Sequence, residues 1–494
     1  MVSYSITIKK FNPQIDDGPW YQTYCMEYAE PPTILSALKD IREIKDEKLA
    51  FRESCGFGKC GSCAIRQNGE AVLACRTLLK EHALLEPLEN YPVIRDLVVD
   101  RKEYDTELVH LQAHIQRADY LKKDKEPFQW SNAYGDNAAC IGCLVCQSEC
   151  PAYGLNPSEF PGPATLMQLA KMLHHRLDRG ERAKTVQSAG IHNCTACMRC
   201  EHSCPKGLHP FRQGVTELRM AIEKEGLEIP VSQSSLTDQY AKNGSVVGGA
   251  LKVPKHACIK EGTDSLLYLG CMYANRYPEM TNTILDILEK LGLCVSIPEN
   301  LHCCGGPLLW VGDKEHASEA IIHNINIFLK SGAKRIIVPC PGCAVTFKED
   351  YIPVYEENYG EKFPLEIIDF CTLISQIYRG DNVVQSQKIK AIYHAPCHHG
   401  KAQGYTGNAI ALLEKCQHID LVGSKILDQC CGGMVASANP AAAVAHSQEI
   451  VIKALQEDAE LIITNCIFCK DNLARAIRRM GETRIKVKCL TEMI

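Results

Sequence analysis

The chain has 494 residues, 46% of them hydrophobic, which is too long for one core and too apolar for a disordered polymer, so three or four compact domains are expected. Its 54 Lys and Arg stand against 59 Asp and Glu, a mild acidic excess without a long basic run that argues against nucleic-acid binding. The 28 cysteines would suggest disulfides in a small secreted protein. In a long chain opening on the charged, alternating MVSYSITIKK, with no apolar run of about eighteen residues, they point instead to a cytoplasmic metal protein without a transmembrane segment.

Residues 1–100 read as a β-rich domain. SYSITIKKF alternates at strand period, YQTYCMEYA can pair with it, and TILSALKDI is an amphipathic helical stretch. Cys55, Cys60, Cys63 and Cys75 follow the CxxxxCxxC…C spacing of a loop wrapped around a [2Fe-2S] cluster. Gly56, Gly58 and Gly61 allow backbone N–H groups to approach the sulfides. Four thiols could also hold a structural zinc, but the four-residue first gap and the glycines favour the cluster.

Residues 101–230 become helical, with LVHLQAHIQRADYLKK and ATLMQLAKMLHHRLDRG as the clearest stretches. Here Cys140, Cys143, Cys146 and Cys150-Pro151 form CxxCxxCxxxCP, and Cys194, Cys197, Cys200 and Cys204-Pro205 repeat it. In chains with two such runs the fourth cysteine of each ligates the other cluster. Cys140, Cys143, Cys146 and Cys204 are therefore assigned to one [4Fe-4S] cubane, and Cys194, Cys197, Cys200 and Cys150 to a second. Residues 231–260, rich in Ser, Gly and Gln at their start, break the periodicity and read as a linker. NGSVVGGALK within it does not fit dinucleotide spacing, and no flavin or nicotinamide fingerprint is visible.

Two related domains follow, at 261–385 and 386–494. Cys271, Cys303-Cys304, Cys340 and Cys343 recur as Cys397, Cys430-Cys431, Cys466 and Cys469 at a constant offset of 126 to 127 residues, an internal duplication. Five thiols per copy exceed what one tetrahedral zinc uses, so each copy calls for a multi-iron site. SLLYLG and IKAIYHAP read as strands delivering the first cysteine of each copy, and RIIVPCPGC and LIITNCIFC place CxxC where a strand gives way to a helix. With the helical TILDILEKLG and AIALLEKCQ between them, the pattern is α/β with largely parallel sheets, whose carboxyl ends carry the sites.

Near the repeats, Arg276 is a candidate for the anionic group of a thiol cofactor, or for a salt bridge. His302, His394, His398, His399 and Lys470 flank the cysteines, either as proton acceptors or as hydrogen-bonding supports. The six cysteines outside the motifs, Cys25, Cys258, Cys294, Cys371, Cys416 and Cys489, are expected in cores.

CGFGKCGSCAIRQNGEAVLAC, CIGCLVCQSECP and CMRCEHSCPKGLHP, in this order over about the first 225 residues, resemble the iron–sulfur subunits of succinate dehydrogenases and fumarate reductases. The resemblance implies a β-grasp plant-type ferredoxin domain and an α-helical bacterial-ferredoxin-like domain, docked on a flavoprotein subunit that carries FAD and the fumarate site. Many members lack a cysteine at position 197 and hold a [3Fe-4S] cluster; Cys197 implies two [4Fe-4S] cubanes here. YLGCMYANRYP, CCGGP and CPGC in the first copy and CCGG in the second resemble the catalytic subunit of heterodisulfide reductase. That implies two α/β cysteine-rich (CCG) domains, each holding a noncubane [4Fe-4S] cluster on its five cysteines. In the family that this resembles, the disulfide of coenzyme M and coenzyme B is cleaved between the two clusters. Related repeats in glycolate oxidase and anaerobic glycerol-3-phosphate dehydrogenase subunits serve as relays or in quinone reactions.

The fusion of an electron-carrying half to a disulfide-handling half resembles the iron–sulfur subunits of thiol:fumarate reductases. It implies a multidomain α+β and α/β oxidoreductase subunit that oxidises coenzyme M and coenzyme B and passes electrons to the flavoprotein. The alternative is an electron-transfer subunit of a quinone-linked succinate dehydrogenase or fumarate reductase, with the repeats in relay or membrane docking.

Overall fold

In Val2–Lys10 (β1), Tyr4, Ile6 and Ile8 alternate inward with less buried neighbours, the period-two pattern of a strand with one face on a core. The computed structural model describes residues 1–117, 131–380 and 388–494. In it β1 joins Trp20–Tyr28 (β2), Ala64–Gln67 (β3), Glu70–Leu73 (β4) and His82–Glu86 (β5) in a sheet of order β2-β1-β5-β3-β4. The β1–β2 pair is antiparallel and the β1–β5 pair parallel, as in a β-grasp. The helix Ile34–Ile44 turns Ile34, Leu35, Leu38 and Ile41 inward, and the Thr33 hydroxyl caps it by accepting from the Ser36 N–H. A short hairpin, Val93–Arg95 (β6) with Val98–Val99 (β7), closes the domain. Cys25, expected in a core, is exposed, because on β2 its neighbours Tyr24 and Met26 take the inward positions. Cys294 is only half-buried, whereas Cys258, Cys371, Cys416 and Cys489 are buried.

Helices dominate from Lys102 onward, with most of Gly162–Leu173 buried. The helical reading of LVHLQAHIQRADYLKK holds only to His110, where the helix Lys102–His110 ends. Gln112 turns left-handed, and the carbonyls of Gln112 and His114 accept from the buried Arg182 guanidinium instead of from helical N–H groups. The last residues of that stretch, from 118 on, lie outside the described residues.

The described chain gathers into two units, one of Met1–Cys194 and Met198–Leu227, the other of Thr195–Cys197 and Glu228–Ile494. In the first, the two ferredoxin-like regions are tied together: Asn90 Nδ2 donates to the carbonyls of Gln147, Ser148 and Cys150, and Glu149 accepts from the Ala71 N–H.

In the second unit, the stretch read as a linker begins with a helix, Val231–Asn243. Pro230 precedes it, left-handed Gly244 ends it, and the buried Tyr240 packs edge-on against His302 and His316. Beyond it Val246 and Cys258 are buried, so these residues are part of the fold. Ser265–Leu267 (β8), Arg335–Val338 (β9) and Glu366–Asp369 (β10) form a parallel sheet of order β10-β9-β8. Ile389–His394 (β11), Ile419–Leu427 (β12), Leu461–Thr464 (β13) and Lys486–Cys489 (β14) form another, of order β12-β11-β13-β14. The division placed at 385/386 falls within 381–387, outside the described residues. One buried cluster runs from Tyr240 to Met493 and draws on both copies, so the repeats share a core. Among the described residues no helix is long and apolar enough to cross a membrane.

Candidate metal centres

In the loop after Cys55, the N–H groups of Phe57 and Lys59 each donate to Cys55 Sγ at 3.3 Å. A backbone hydrogen bond at Cys55, then Ser62, brings the Cys60 thiol down to about 6, while burial pushes Cys63 up to about 12. Donors aimed at a thiolate sulfur fit an anionic iron–sulfur group at Cys55, Cys60, Cys63 and Cys75. Gly61 has φ +70°, and a Cβ there would fall 2.8 Å from the Cα and Cβ of Cys143, so this loop lies directly against the first cysteine run of the helical region.

The two CxxCxxC runs share a backbone. Gly142 and Leu144 have positive φ in the first, and Ala196 and Met198 have it at the matching positions of the second. Non-glycine residues adopt that region at a cost of about 1–2 kcal/mol, and right- and left-handed residues in succession turn N–H groups into a concave, anion-binding nest. Burial pushes Cys143 up to about 11 and raises Cys140 and Cys146. Thiolates there need bound cationic charge, which fits an iron–sulfur group and not free thiols. Cys197 belongs to the tripeptide that folds with the second unit. There the Met434 N–H donates to the Thr195 carbonyl at 3.2 Å, His398 Nε2 bonds the Ala196 carbonyl at 2.9 Å, and the Cys197 and Cys430 thiols are hydrogen-bonded.

In each cysteine-rich repeat, a parallel strand ends just before CxxC and its first cysteine takes the N-cap position of the following helix, Cys340 before Pro341–Thr346 and Cys466 before Ile467–Met480. All five thiols of the first copy are buried, as are Cys430, Cys431, Cys466 and Cys469, and Cys397 is half-buried. Cys431 Sγ and Cys469 Sγ are 3.4 Å apart. Hydrogen bonds from Cys271 and Cys304 hold Cys303 far below the ordinary thiol range. Cys431 is held down chiefly by Cys469 and, against the effect of burial, by His394. Donation to these sulfurs drives Cys304 and Cys469 up. Five crowded, buried sulfurs cannot all ionise without metal, so each set fits a multi-iron group.

One cavity in the second unit is lined by four cysteines of each copy: Cys271, Cys304, Cys340 and Cys343 with Cys397, Cys431, Cys466 and Cys469. Trp310, Pro307, Met434 and Phe468 add apolar wall, and no Asp, Glu, Lys or Arg lines it. Sequence reasoning passed over these walls, although Phe468 stands inside the second CxxC. Of the flanking residues expected to serve the site, His398 lines the cavity, tilted against Trp310. His302 turns to Tyr240 and stacks on His323, and His399 pairs with buried Asp369 at 3.2 Å. Lys470 reaches Glu492. Arg276 is not brought to the cavity; half-exposed, it pairs with Asp471 at 3.4 Å.

Family models match three kinds of domain: a 2Fe-2S iron-sulfur cluster binding domain over residues 5–106, a 4Fe-4S dicluster domain over 136–208, and a cysteine-rich domain over 265–348 and again over 391–474. A fumarate reductase iron–sulfur subunit from Haemophilus influenzae is 31% identical over 239 residues, covering 43% of this chain and 92% of that protein. The chain belongs to the family of fumarate reductase iron–sulfur subunits. Two relatives extend the match through the cysteine-rich domains. An uncharacterised iron–sulfur protein from Methanococcus maripaludis is 30% identical, covering 91% of this chain and 92% of its own. A subunit of the fumarate reductase (CoM/CoB) of Methanothermobacter marburgensis is 28% identical, covering 99% and 98%. This family member is thus an electron-transferring iron–sulfur subunit of the fused kind, with two cysteine-rich domains behind its ferredoxin-like half.

Proposed function

We propose that this subunit oxidises two thiols, coenzyme M and coenzyme B, to their mixed disulfide and delivers the two electrons to a flavoprotein partner that reduces fumarate to succinate. The observation that carries the reading is the cavity walled by four cysteines from each repeat. As the S–S bond forms, the thiols release two protons and two electrons; the partner's fumarate takes up two of each.

In this reading Cys55, Cys60, Cys63 and Cys75 hold a [2Fe-2S] group. Cys140, Cys143, Cys146 and Cys204 hold one [4Fe-4S] cubane, and Cys150, Cys194, Cys197 and Cys200 hold another. The five cysteines of each repeat hold a noncubane [4Fe-4S] group. When bound, these groups carry electrons one at a time, which a two-electron thiol oxidation requires to be shared. The protein's own part is placement. Trp310, Met434 and Phe468 keep water from the sulfur-bearing ends of the substrates, and the absence of fixed charge in the wall leaves their ionised ends outside. His398, held by the Ala196 carbonyl, is the polar side chain best placed to orient a thiol. The end-to-end likeness to a CoM/CoB fumarate reductase subunit supports the choice of thiols.

The test is an anaerobic assay of the purified complex with its flavoprotein partner. Fumarate-dependent oxidation of coenzyme M plus coenzyme B, without membranes or quinone, is the expected result. Fumarate reduction driven by a quinol alone, with both thiols ignored, overturns the reading.

A further inference from the structure

His394 ends β11, and 126 residues earlier the same place in the duplicated fold belongs to Tyr268, just beyond β8. The two side chains differ in what they face. Tyr268 spends its hydroxyl on the His302 carbonyl at 2.8 Å and packs edge-on to Phe347. His394 is 1% exposed, and neither ring nitrogen has a hydrogen-bond partner within the protein. A ring nitrogen of His394, Cys431 Sγ and Cys469 Sγ all lie within 4.8 Å of one another. A neutral imidazole always carries one N–H donor, and in this pocket sulfur is what stands before it.

We propose that the His394 N–H donates a hydrogen bond to the Cys431 sulfur of the cluster held by the second repeat, where the first repeat has Tyr268 turned to a carbonyl, and that this makes the second site the easier of the two to reduce. The proposal rests on the reading that each repeat holds a cluster. A donor on a ligand sulfur draws off negative charge and so favours the reduced state over the oxidised one. The asymmetry extends to a second position. Asn472 Nδ2 also approaches Cys431 Sγ, at 3.7 Å, whereas its counterpart Thr346 donates to the Gly342 carbonyl. The better-furnished repeat is also the one whose Cys430 is hydrogen-bonded to Cys197. Two copies of one fold thus become chemically unequal through single side chains, with the cysteine framework unchanged.

The experiment is an anaerobic redox titration of the complete complex followed by electron paramagnetic resonance, on the unaltered protein and on His394→Phe and His394→Asn. With iron and sulfide retained, His394→Phe should shift one centre's reduction equilibrium about tenfold toward the oxidised state, about 59 mV for one electron. His394→Asn, which keeps an N–H, should restore most of it. In unaltered protein labelled with 15N-histidine, one repeat-bound centre should show a weak nitrogen coupling. Unchanged equilibria at full iron content overturn the proposal. So do a strong coupling or loss of one cluster's iron in His394→Phe, because His394 would then be a ligand and not a donor. The labelling experiment needs no variant, so a folding defect does not shield the proposal. Unaltered protein with no centre beyond those of the ferredoxin-like domains defeats the functional reading itself, and the proposal with it.

Discussion

Lys10 occupies the last inward position of β1, and its ammonium lies 2.9 Å from both Asp46 and Asp96. Tyr24 adds a 2.7 Å hydrogen bond to Asp46. Burial alone would raise Asp46, but Lys10 and Tyr24 outweigh it and hold the carboxyl below its ordinary value. A depressed carboxylate contributes stability above its unfolded pKa of about 3.9, and that contribution is lost as pH falls through the lower folded value. Lys10→Met strands two carboxylates and should cost about 3–5 kcal/mol, roughly 10 °C in the melting midpoint at neutral pH. Melting curves against pH should show the deficit shrinking as pH falls, because the unaltered protein loses the Asp46 contribution once that carboxyl is protonated. At the same scale, Cys197→Ser should alter one cubane signal and leave the visible circular dichroism of the [2Fe-2S] group unchanged. The motif was legible because ligand spacing is local. That Cys197 meets Cys430, more than two hundred positions away, was not.

The loops between elements fix how closely cysteine runs approach. Gly61→Ala combines a left-handed backbone with a Cβ 2.8 Å from Cys143, whereas Gly56→Ala has the same backbone and open space around it. Gly56→Ala should cost only the backbone strain, about 1–2 kcal/mol, and Gly61→Ala more. Visible circular dichroism should change in Gly61→Ala for both the [2Fe-2S] and the neighbouring cubane bands. In the second unit, Asn324 on the helix Lys314–Lys330 is fully buried, accepts the His302 N–H, and donates to the carbonyls of His302 and Cys303 and to Tyr351. Asn324→Leu leaves those groups unpaired and should cost about 3 kcal/mol, with iron lost on warming from the first repeat before the second. This helix was not singled out from the sequence. Local pattern could not show that one polar residue on it holds the CysCys pair, because that partnership spans more than twenty residues. The supposed linker misled for a related reason: Val231–Asn243 has weak periodicity, and its stability comes from Tyr240 against His302 and His316.

Across the whole molecule, the ferredoxin-like unit and the cysteine-rich unit have separate tasks in the proposed reaction. Cys304→Ser and Cys431→Ser should each remove about four iron atoms and abolish thiol oxidation, while fumarate reduction driven by an artificial dye persists. Assays of both half-reactions on the same preparation check this. Loss of the dye-driven rate would mean that the repeats also support the flavoprotein contact.

The sequence by itself determined the cysteine framework: twenty-two cysteines in three kinds of spacing, an internal duplication and the α/β character of the repeats are properties of neighbours along the chain. Only the tertiary structure decided which of those groups meet. It brought four cysteines of each repeat to one cavity, left Arg276 paired with Asp471 outside it, and set His394 against Cys431 where Tyr268 serves the first copy differently. Spacing encodes a ligand loop because its atoms are covalently close. The facing of two loops, or of an imidazole and a sulfur, depends on how parallel sheets and their helices pack around a shared core, which no local pattern records.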